Sequence, residues 1–325
     1  MKKILITGGF GFIGYFLVKK HLNLGHKVII LDSYFKNKGL IDDEFKLILK
    51  DKNLKFFKTD LTKEIKKRAL FSKINIVYHL AAINGTELFY EIPYKVAIDN
   101  LLITINLLKL FEKIKIDKLI FSSTSEVYSD GYKLNLIKIP TDEKTPIVFT
   151  QPTDTRYSYG TSKFISEFLV REFGKKYKTK TVILRYHNIY GPRMGNKHAI
   201  PQIIQRILSG ENPLKVYGFN ETRAFCYIDD AVEATYKIGI KNIKNGEIIH
   251  IGNSKEEIEI KELVDKILGI MNKRLKLNYL KGKSSSVKRR CPDISKLIKI
   301  TGFNPKTNLD KGLKRTIDWY LNQKA

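Results

Sequence analysis

A doubly wound, mostly parallel α/β sheet with a smaller C-terminal lobe is the fold this sequence predicts. Three observations predict it. Short apolar runs alternate with amphipathic helical stretches through residue 186. A glycine-rich turn joins the first such run to the first helix. An acid, Asp32, closes the second run.

Each element follows in order. Residues 3–7 (Lys-Ile-Leu-Ile-Thr) read as a buried parallel strand. Gly8, Gly11 and Gly14 follow at three-residue spacing, and residues 12–24 read as a helix stopped by Gly25. Residues 27–31 are the second strand and 54–58 the third, with Asp60 and Leu61 just beyond it. Residues 75–79 form a fourth strand leading into Leu80-Ala81-Ala82, and 89–112 a long helix. Residues 117–122 are the fifth strand; 125–154 are irregular, with prolines at 140, 146 and 152. A second long helix carries Tyr159 and Lys163 to about residue 176, and 181–185 is a sixth strand. The alternation then breaks. Gly191-Pro192-Arg193 is a turn and 201–208 a helix. Short strands at 214–217 and 247–251 mix with helices near 229–238, 260–270 and 309–321. The reading is a dinucleotide-binding domain over 1–186 and a substrate lobe over 187–325, interleaved at their edges.

The glycine turn carries chemistry. Gly8 permits the tight turn, Gly11 lets backbone approach a pyrophosphate, and Gly14 lets the helix pack on the sheet. The pyrophosphate lies on the helix N-terminus, so Gly8, Gly11, Phe12 and Ile13 form its cradle. Asp32, roughly 20 residues on, accepts from the adenosine ribose and repels a 2′-phosphate. NAD is therefore expected rather than NADP. Asp60 and Leu61 are placed for the adenine edge, with an N-cap role for Asp60 equally open. Downstream, Tyr159 and Lys163 stand four residues apart on one helix face. A tyrosine near pKa 10 is about three units too high for a base at neutral pH. A neighbouring ammonium and the cationic nicotinamide ring both lower it. The pair reads as a redox base delivered to the bound dinucleotide.

Composition narrows the class. The 325 residues are 43% hydrophobic, enough for a large core. The two cysteines, Cys226 and Cys291, have no ligand spacing, so neither a disulfide framework nor a metal site is expected. The Met1-Lys2-Lys3 start runs at once into the first strand, which argues against a signal peptide. No apolar run reaches bilayer length. A cytoplasmic enzyme without membrane contact is expected. The net charge of +26 is carried mostly by lysines spread over every helix, not by an arginine stripe with interleaved aromatics. No nucleic acid is expected as a partner.

Further motifs line up in order. They are Thr7–Gly14, His79-Leu80-Ala81-Ala82, Pro93 through Val96 to Asn100, and Ser122 through Tyr128. Tyr159 with Lys163 follows, then Arg185 through Arg193, Thr222-Arg223-Ala224-Phe225 with Asp229-Asp230, and Arg289 through Asp293. Over nearly its whole length the chain resembles the extended short-chain dehydrogenase/reductases, in their NAD-dependent nucleotide-sugar epimerase/dehydratase branch. The resemblance implies a Rossmann fold, a nucleotide-diphosphate sugar as substrate, and oxidation of its C4 by NAD. It implies that Thr124 bridges Tyr159 and the substrate hydroxyl, with Ser125 beside it. Glu126 resembles the acid that dehydratases and decarboxylases place for events at C5 and C6; a turn cap or ion pair is its other reading. Asn188 resembles a substrate-positioning amide, Arg223 and Arg290 diphosphate clamps, and Asn100 an asparagine that orders the site through backbone; His187 reads as a spacer.

Two departures stand out. Residues 130–155 are longer than in minimal relatives and suit a substrate loop or lid. Asn196-Lys197-His198 replaces the glycine-arginine that decarboxylases often carry. Among outcomes, decarboxylation of a UDP-uronic acid ranks first, a 4-epimerase second and a 4,6-dehydratase third; an NAD-sensing binding protein is the non-enzyme alternative. The two long helices are expected to pair as a four-helix bundle in a homodimer.

Overall fold

In the computed structural model, residues 1–33, 42–66, 71, 73–150, 154–282 and 286–323 are described. Strands β1 (Lys3–Thr7), β2 (Lys27–Asp32), β3 (Leu54–Lys58), β4 (Ile74–His79), β5 (Ile116–Thr124) and β6 (Lys180–Tyr186) lie in one sheet. The strand Glu247–Ile251 joins them on the far side of β6. The order is Glu247–Ile251, β6, β5, β4, β1, β2, β3, and every neighbouring pair is parallel. The order reverses between β1 and β4, and a crevice opens there at the carboxyl ends of the strands.

Helices cover both faces: α1 (Phe12–Asn23), α2 (Asp43–Leu49), α3 (Leu88–Glu91), α4 (Pro93–Phe111), α5 (Ser129–Lys133) and α6 (Tyr157–Lys176). One core gathers α1 and the C-terminal lobe, through Leu17, Ile204 and Leu313; the other gathers α4 and α6, through Leu107 and Val170. Both are built on strand residues that alternate sides, Ile4 and Ile6 to one and Leu5 to the other.

Three sequence readings change. The strand at 247–251 was placed in the smaller lobe, yet it pairs with β6 from Val182 to Tyr186. It covers an edge that would otherwise expose unpaired backbone. The long helix read over 89–112 is two helices. Ile92 leaves helical geometry (φ −136°, ψ 50°) and Pro93, which has no N–H to donate, starts α4. The stretch read as irregular opens with a 3-10 turn, Ser125–Tyr128, and α5. Its described part packs Val127, Tyr128 and Tyr132 against Val287. Its backbone also pairs with the Arg290–Asp293 segment: Thr141 N donates to Cys291 O (2.9 Å) and Asp293 N to Thr141 O (2.7 Å). The described part of the insertion is thereby tied to the segment bearing Arg290. Residues 151–153 lie outside the described set.

Candidate active site

The site begins at the glycine turn. Gly8 has φ +68°, and a Cβ there would meet Ala81 Cα at 2.8 Å. A Cβ on Gly14 would sit 2.1 Å from the Gly8 carbonyl oxygen. Only glycine lets α1 come this close to β1. Helix α1 starts at Phe12 with Gly11 as its N-cap, no side-chain cap bond and no acid in its first turn. The Phe12 and Ile13 end of the helix keeps its positive dipole for an anion. Asp32 braces the same turn, accepting from Phe10 N at 3.0 Å. Asp60 Oδ1 accepts from Thr62 N (3.0 Å) and Thr62 Oγ1 (2.7 Å), closing a local turn, and among the described residues no helix starts there. Leu61 is buried in the second core, and its carbonyl accepts from Asn106 (2.9 Å).

Beside the turn, β4 ends on His79. Thr7 Oγ1 lies 2.7 Å from its Nδ1, and Thr104 Oγ1 3.2 Å from its Nε2. Burial, then Lys163, brings His79 down to about 3, so the ring is a neutral spacer between two hydroxyls. Asn100 brackets Ile83 directly, accepting from its N (2.7 Å) and donating to its O (3.1 Å). The family-implied backbone contact of Asn100 is thus on Ile83.

The redox pair sits across the crevice. Tyr159 is 6% exposed and stacks on Phe89, with ring centroids 4.7 Å apart and planes 11° off parallel. Lys163 Nζ donates to Ser122 O (2.8 Å) and lies 5.8 Å from the Tyr159 ring centre. Thr124, the last residue of β5, accepts from Glu126 N at 3.2 Å. A Cβ on Gly160 would lie 2.8 Å from the Glu126 carbonyl oxygen, so the glycine lets α6 press onto the 3-10 turn. Burial, then the Glu126 charge, pushes the Tyr159 phenol above its ordinary value. The expectation of a lowered phenol joined Lys163 to the cationic nicotinamide ring; in the chain without that ring, burial and Glu126 outweigh Lys163.

The third part was not legible from spacing. Glu126 is gripped by two arginines. Arg156 meets it with a fork, Nε to Oε2 at 3.1 Å and Nη2 to Oε1 at 3.2 Å. Arg290 Nη1 donates to Oε1 at 2.6 Å and Ser129 Oγ to Oε2 at 2.7 Å. Arg290 also reaches Ser125 Oγ and Ser129 Oγ, both at 3.3 Å. Burial alone would raise Glu126; Arg156 and Arg290 overcome it and hold the carboxyl well below its ordinary range. Two guanidiniums against one carboxylate leave one positive charge in excess.

The remaining residues fall around this cluster. Arg290 and Arg223 are register partners on adjacent strands, but they engage different acids. Arg223 Nη2 donates to Glu221 at 2.7 Å, and burial, then Arg290, brings it down to about 10. Arg290 sits on the Glu126 side. Asn188, at φ +41°, donates its amide to Ala224 O at 3.1 Å. His187 is fully buried, and neither ring nitrogen has a hydrogen-bond partner among the described residues. Lys197 pairs with Glu87, the N-cap of α3, closing the loop over Gly85. Arg156 was missed as a site residue. Its signal was its place three residues before Tyr159, on the same helix face.

A glycine-cradled dinucleotide turn, a buried tyrosine–lysine pair and a threonine at the adjoining strand end define an oxidoreductive site of the NAD-dependent short-chain type. The family model described as NAD dependent epimerase/dehydratase family matches residues 4–252, and the chain belongs to that family. A UDP-N-acetyl-alpha-D-glucosaminuronate decarboxylase of Bacillus cytotoxicus is 32% identical over 98% of both chains. A UDP-glucuronate 4-epimerase of Thermodesulfobacterium geofontis is 29% identical over 97% of this chain and 95% of its own. The crystal structure of the UDP-glucuronic acid 4-epimerase of Bacillus cereus, with UDP-glucuronic acid and NAD, superposes with a TM-score of 0.87 at 30% identity. It covers 98% of this chain and 99% of that one. The chain is an enzyme whose cofactor is NAD. Among the described residues, no helix is long and apolar enough to cross a membrane.

Proposed function

We propose that this enzyme decarboxylates a UDP-linked hexuronic acid through transient oxidation at C4. The observation that supports it is the excess positive charge of Arg156 and Arg290 around Glu126, beside Thr124. A carboxylate on the sugar's C5 matches that charge; a neutral hexose does not.

The residues divide the work. Gly8, Gly11, Phe12, Ile13 and Asp32 hold the cofactor, with Asp60 and Leu61 at the adenine edge. NAD, when bound, supplies the hydride acceptor and a cationic ring beside Tyr159. Tyr159 takes the C4 hydroxyl proton, Thr124 aligns that hydroxyl, and Lys163 orients the pair from Ser122. The C4 ketone makes the substrate a β-keto acid. The C5–C6 bond then breaks, carbon dioxide leaves, and its electrons pass into the C4–C5 enolate. Protonation at C5 and return of the hydride to C4 complete a UDP-pentose. Glu126 serves as the fixed anion that aims Arg156 and Arg290, not as a proton donor. Arg290 therefore moves from diphosphate clamp to carboxylate recognition. Arg223 keeps the diphosphate, with Ser125 and Asn188 on the sugar.

The 4-epimerase reading is favoured by the Bacillus cereus likeness and differs only in that the ketone turns over before hydride returns. A 4,6-dehydratase needs an acid for the leaving 6-hydroxyl, and an ionised Glu126 does not supply one. Incubation with UDP-glucuronate and UDP-N-acetylglucosaminuronate, with products weighed by mass spectrometry, decides. Loss of carbon dioxide is expected; an unchanged mass with inverted C4 makes the protein an epimerase.

A homodimer belongs to the same proposal. Tyr94 and Leu102 on α4, with Phe164, Ile165 and Phe168 on α6, are exposed on two packed helices. Sedimentation at micromolar concentration tests it, and a monomer would refute it. A cytoplasmic setting is supported by two buried, unbridged thiols, Cys226 and Cys291.

A further inference from the structure

Behind the site runs a second buried polar network that the chemistry above does not use. Tyr159, Lys163 and Glu167 follow one another at four-residue spacing on α6, and each is at most 6% exposed. Glu167 Oε1 accepts from Ser123 Oγ (2.5 Å) and Arg185 Nε (2.9 Å), and Oε2 from Arg185 Nη2 (2.6 Å). Ser123 stands between Ser122, whose carbonyl takes Lys163, and Thr124. The remaining arm of Arg185 donates to the Tyr128 phenol oxygen. Tyr128 lies 2.9 Å from His250 Nε2, and His250 Nδ1 3.2 Å from Asp293 O. Tyr128 is two residues beyond Glu126, and Asp293 three beyond Arg290.

A fully buried ion pair is weak as a source of stability, because apolar side chains of like volume replace it without loss. What it supplies is fixed geometry. We infer that Glu167 and Arg185 are positioning residues: they set the register of α6 on β5, and so of Tyr159 on Thr124, and they tie that pair to the backbone segments bearing Glu126 and Arg290. One end of the network holds the groups that handle C4. The other holds the groups that face the sugar carboxylate. Hydride transfer at C4 and bond cleavage at C5 require both ends to meet one sugar in one pose. This rests on the assignment of Tyr159 as base.

The pair is itself neutral and leaves Lys163 as the one net charge of the stripe. The groups facing it are Lys163 on α6 itself, Arg156 at its N-cap, Glu126 and Tyr128 on the 3-10 turn, Arg185 on β6 and His79 on β4, with His187, Arg290 and His250 behind. Glu167 lies about 12 Å along the helix from Tyr159, at 1.5 Å per residue, and removing its charge leaves Arg185 uncompensated. At an effective dielectric constant of about 20, one charge at that distance moves a phenol by about one pH unit.

The test uses full-length protein with NAD, and UDP-glucuronate or UDP-N-acetylglucosaminuronate, whichever is turned over. Variants are Glu167→Gln, Arg185→Lys, Ser123→Ala and, as control, Tyr159→Phe. Stopped-flow NADH absorbance reads C4 oxidation. Ultraviolet tyrosinate titration, differenced against Tyr159→Phe, reads the phenol. Glu167→Gln should keep NAD binding and KM within about threefold, slow C4 oxidation at least tenfold, and move the phenol down by about one unit. Arg185→Lys keeps the charge and loses the fork; it should slow oxidation at least tenfold with the titration unmoved. Ser123→Ala should slow it about threefold. C4 oxidation at the wild-type rate in Glu167→Gln, or an unmoved titration there, overturns the inference. Should Glu167→Gln not fold, wild-type rates in both Arg185→Lys and Ser123→Ala do the same. If Tyr159→Phe itself retains activity, the base assignment fails and the inference falls with it.

Discussion

The two halves of the active site are built on opposite plans. The redox half is local: Gly8, Gly11 and Gly14 share one turn, and Tyr159 and Lys163 share one helix face. The anion half is assembled from distance. Arg156 is 30 residues from Glu126, and Arg290 is 164. The redox half carries the single cation Lys163 beside a neutral phenol, whereas the anion half sets two guanidiniums against one carboxylate. The contrast suggests that the shared chemistry of C4 oxidation sits in local sequence, and the outcome after C4 sits in long-range packing. Relatives that decarboxylate and relatives that epimerise are both near this chain.

The largest effect should come from the redox half. Tyr159→Phe should retain NAD binding and lower turnover by at least ~10²-fold, the scale of a lost general base. Steady-state rates within a factor of a few of wild type would remove Tyr159 from the chemistry and dissolve the division.

Breaking the anion half should instead change the outcome. Arg290→Met leaves Glu126 with one guanidinium and cancels the excess charge. C4 oxidation, seen as transient NADH absorbance, should persist. Formation of carbon dioxide should fall by about 10–10²-fold, as expected for loss of a charge-assisted bond worth roughly 1.5–3 kcal/mol. Glu126→Gln should act in the same direction and also cost stability, about 3–5 kcal/mol for one partner removed from a buried pair. If either variant makes the wild-type product at the wild-type rate, the cluster is scaffolding.

The same cluster predicts a pH dependence. Glu126 is ionised in the folded protein well below its ordinary range, because Arg156 and Arg290 outweigh the cost of burial. A depressed carboxylate contributes stability above its unfolded pKa, about 4.3, and that contribution is lost as pH falls through the folded value. Below pH ~4.3 the wild type should lose stability more steeply than Glu126→Gln, whose glutamine does not titrate. Parallel urea midpoints from pH 6 to pH 3 in the two proteins would contradict it.

The smallest effect concerns the cofactor. Asp32→Ala removes an acceptor for ribose and the brace on Phe10 N. NAD should bind about tenfold more weakly, the worth of about one charge-assisted bond. Preference over NADP should relax. Calorimetric titration checks both, and tighter binding of NADP by wild type would undo the Asp32 assignment.

How much was legible follows the same division. The glycine turn, Asp32 and the Tyr159–Lys163 pair were readable because strand, turn and helix periodicity fix their relative places within a few residues. The Ile92 break was signalled by Pro93, whose missing N–H starts a helix more readily than it continues one. The strand Glu247–Ile251 was visible as a strand, but its partner was not. Nothing in five residues says which open edge they cover. Asp60 was balanced between a ligand contact and a helix cap, and its bonds to Thr62 close a local turn that spacing did not show. The role of Glu126 turned on which cations reach it, and those come from two distant backbone segments, at Arg156 and Arg290. Sequence by itself determined the cofactor, the hydride chemistry and the parallel sheet, because each rests on periodicity or short spacing. Tertiary structure alone decided that Glu126 is a paired anion, that Arg290 engages Glu126 while Arg223 engages Glu221, and that burial raises the Tyr159 phenol. These are matters of burial and charge, and both are summed over neighbours that only the folded chain brings together.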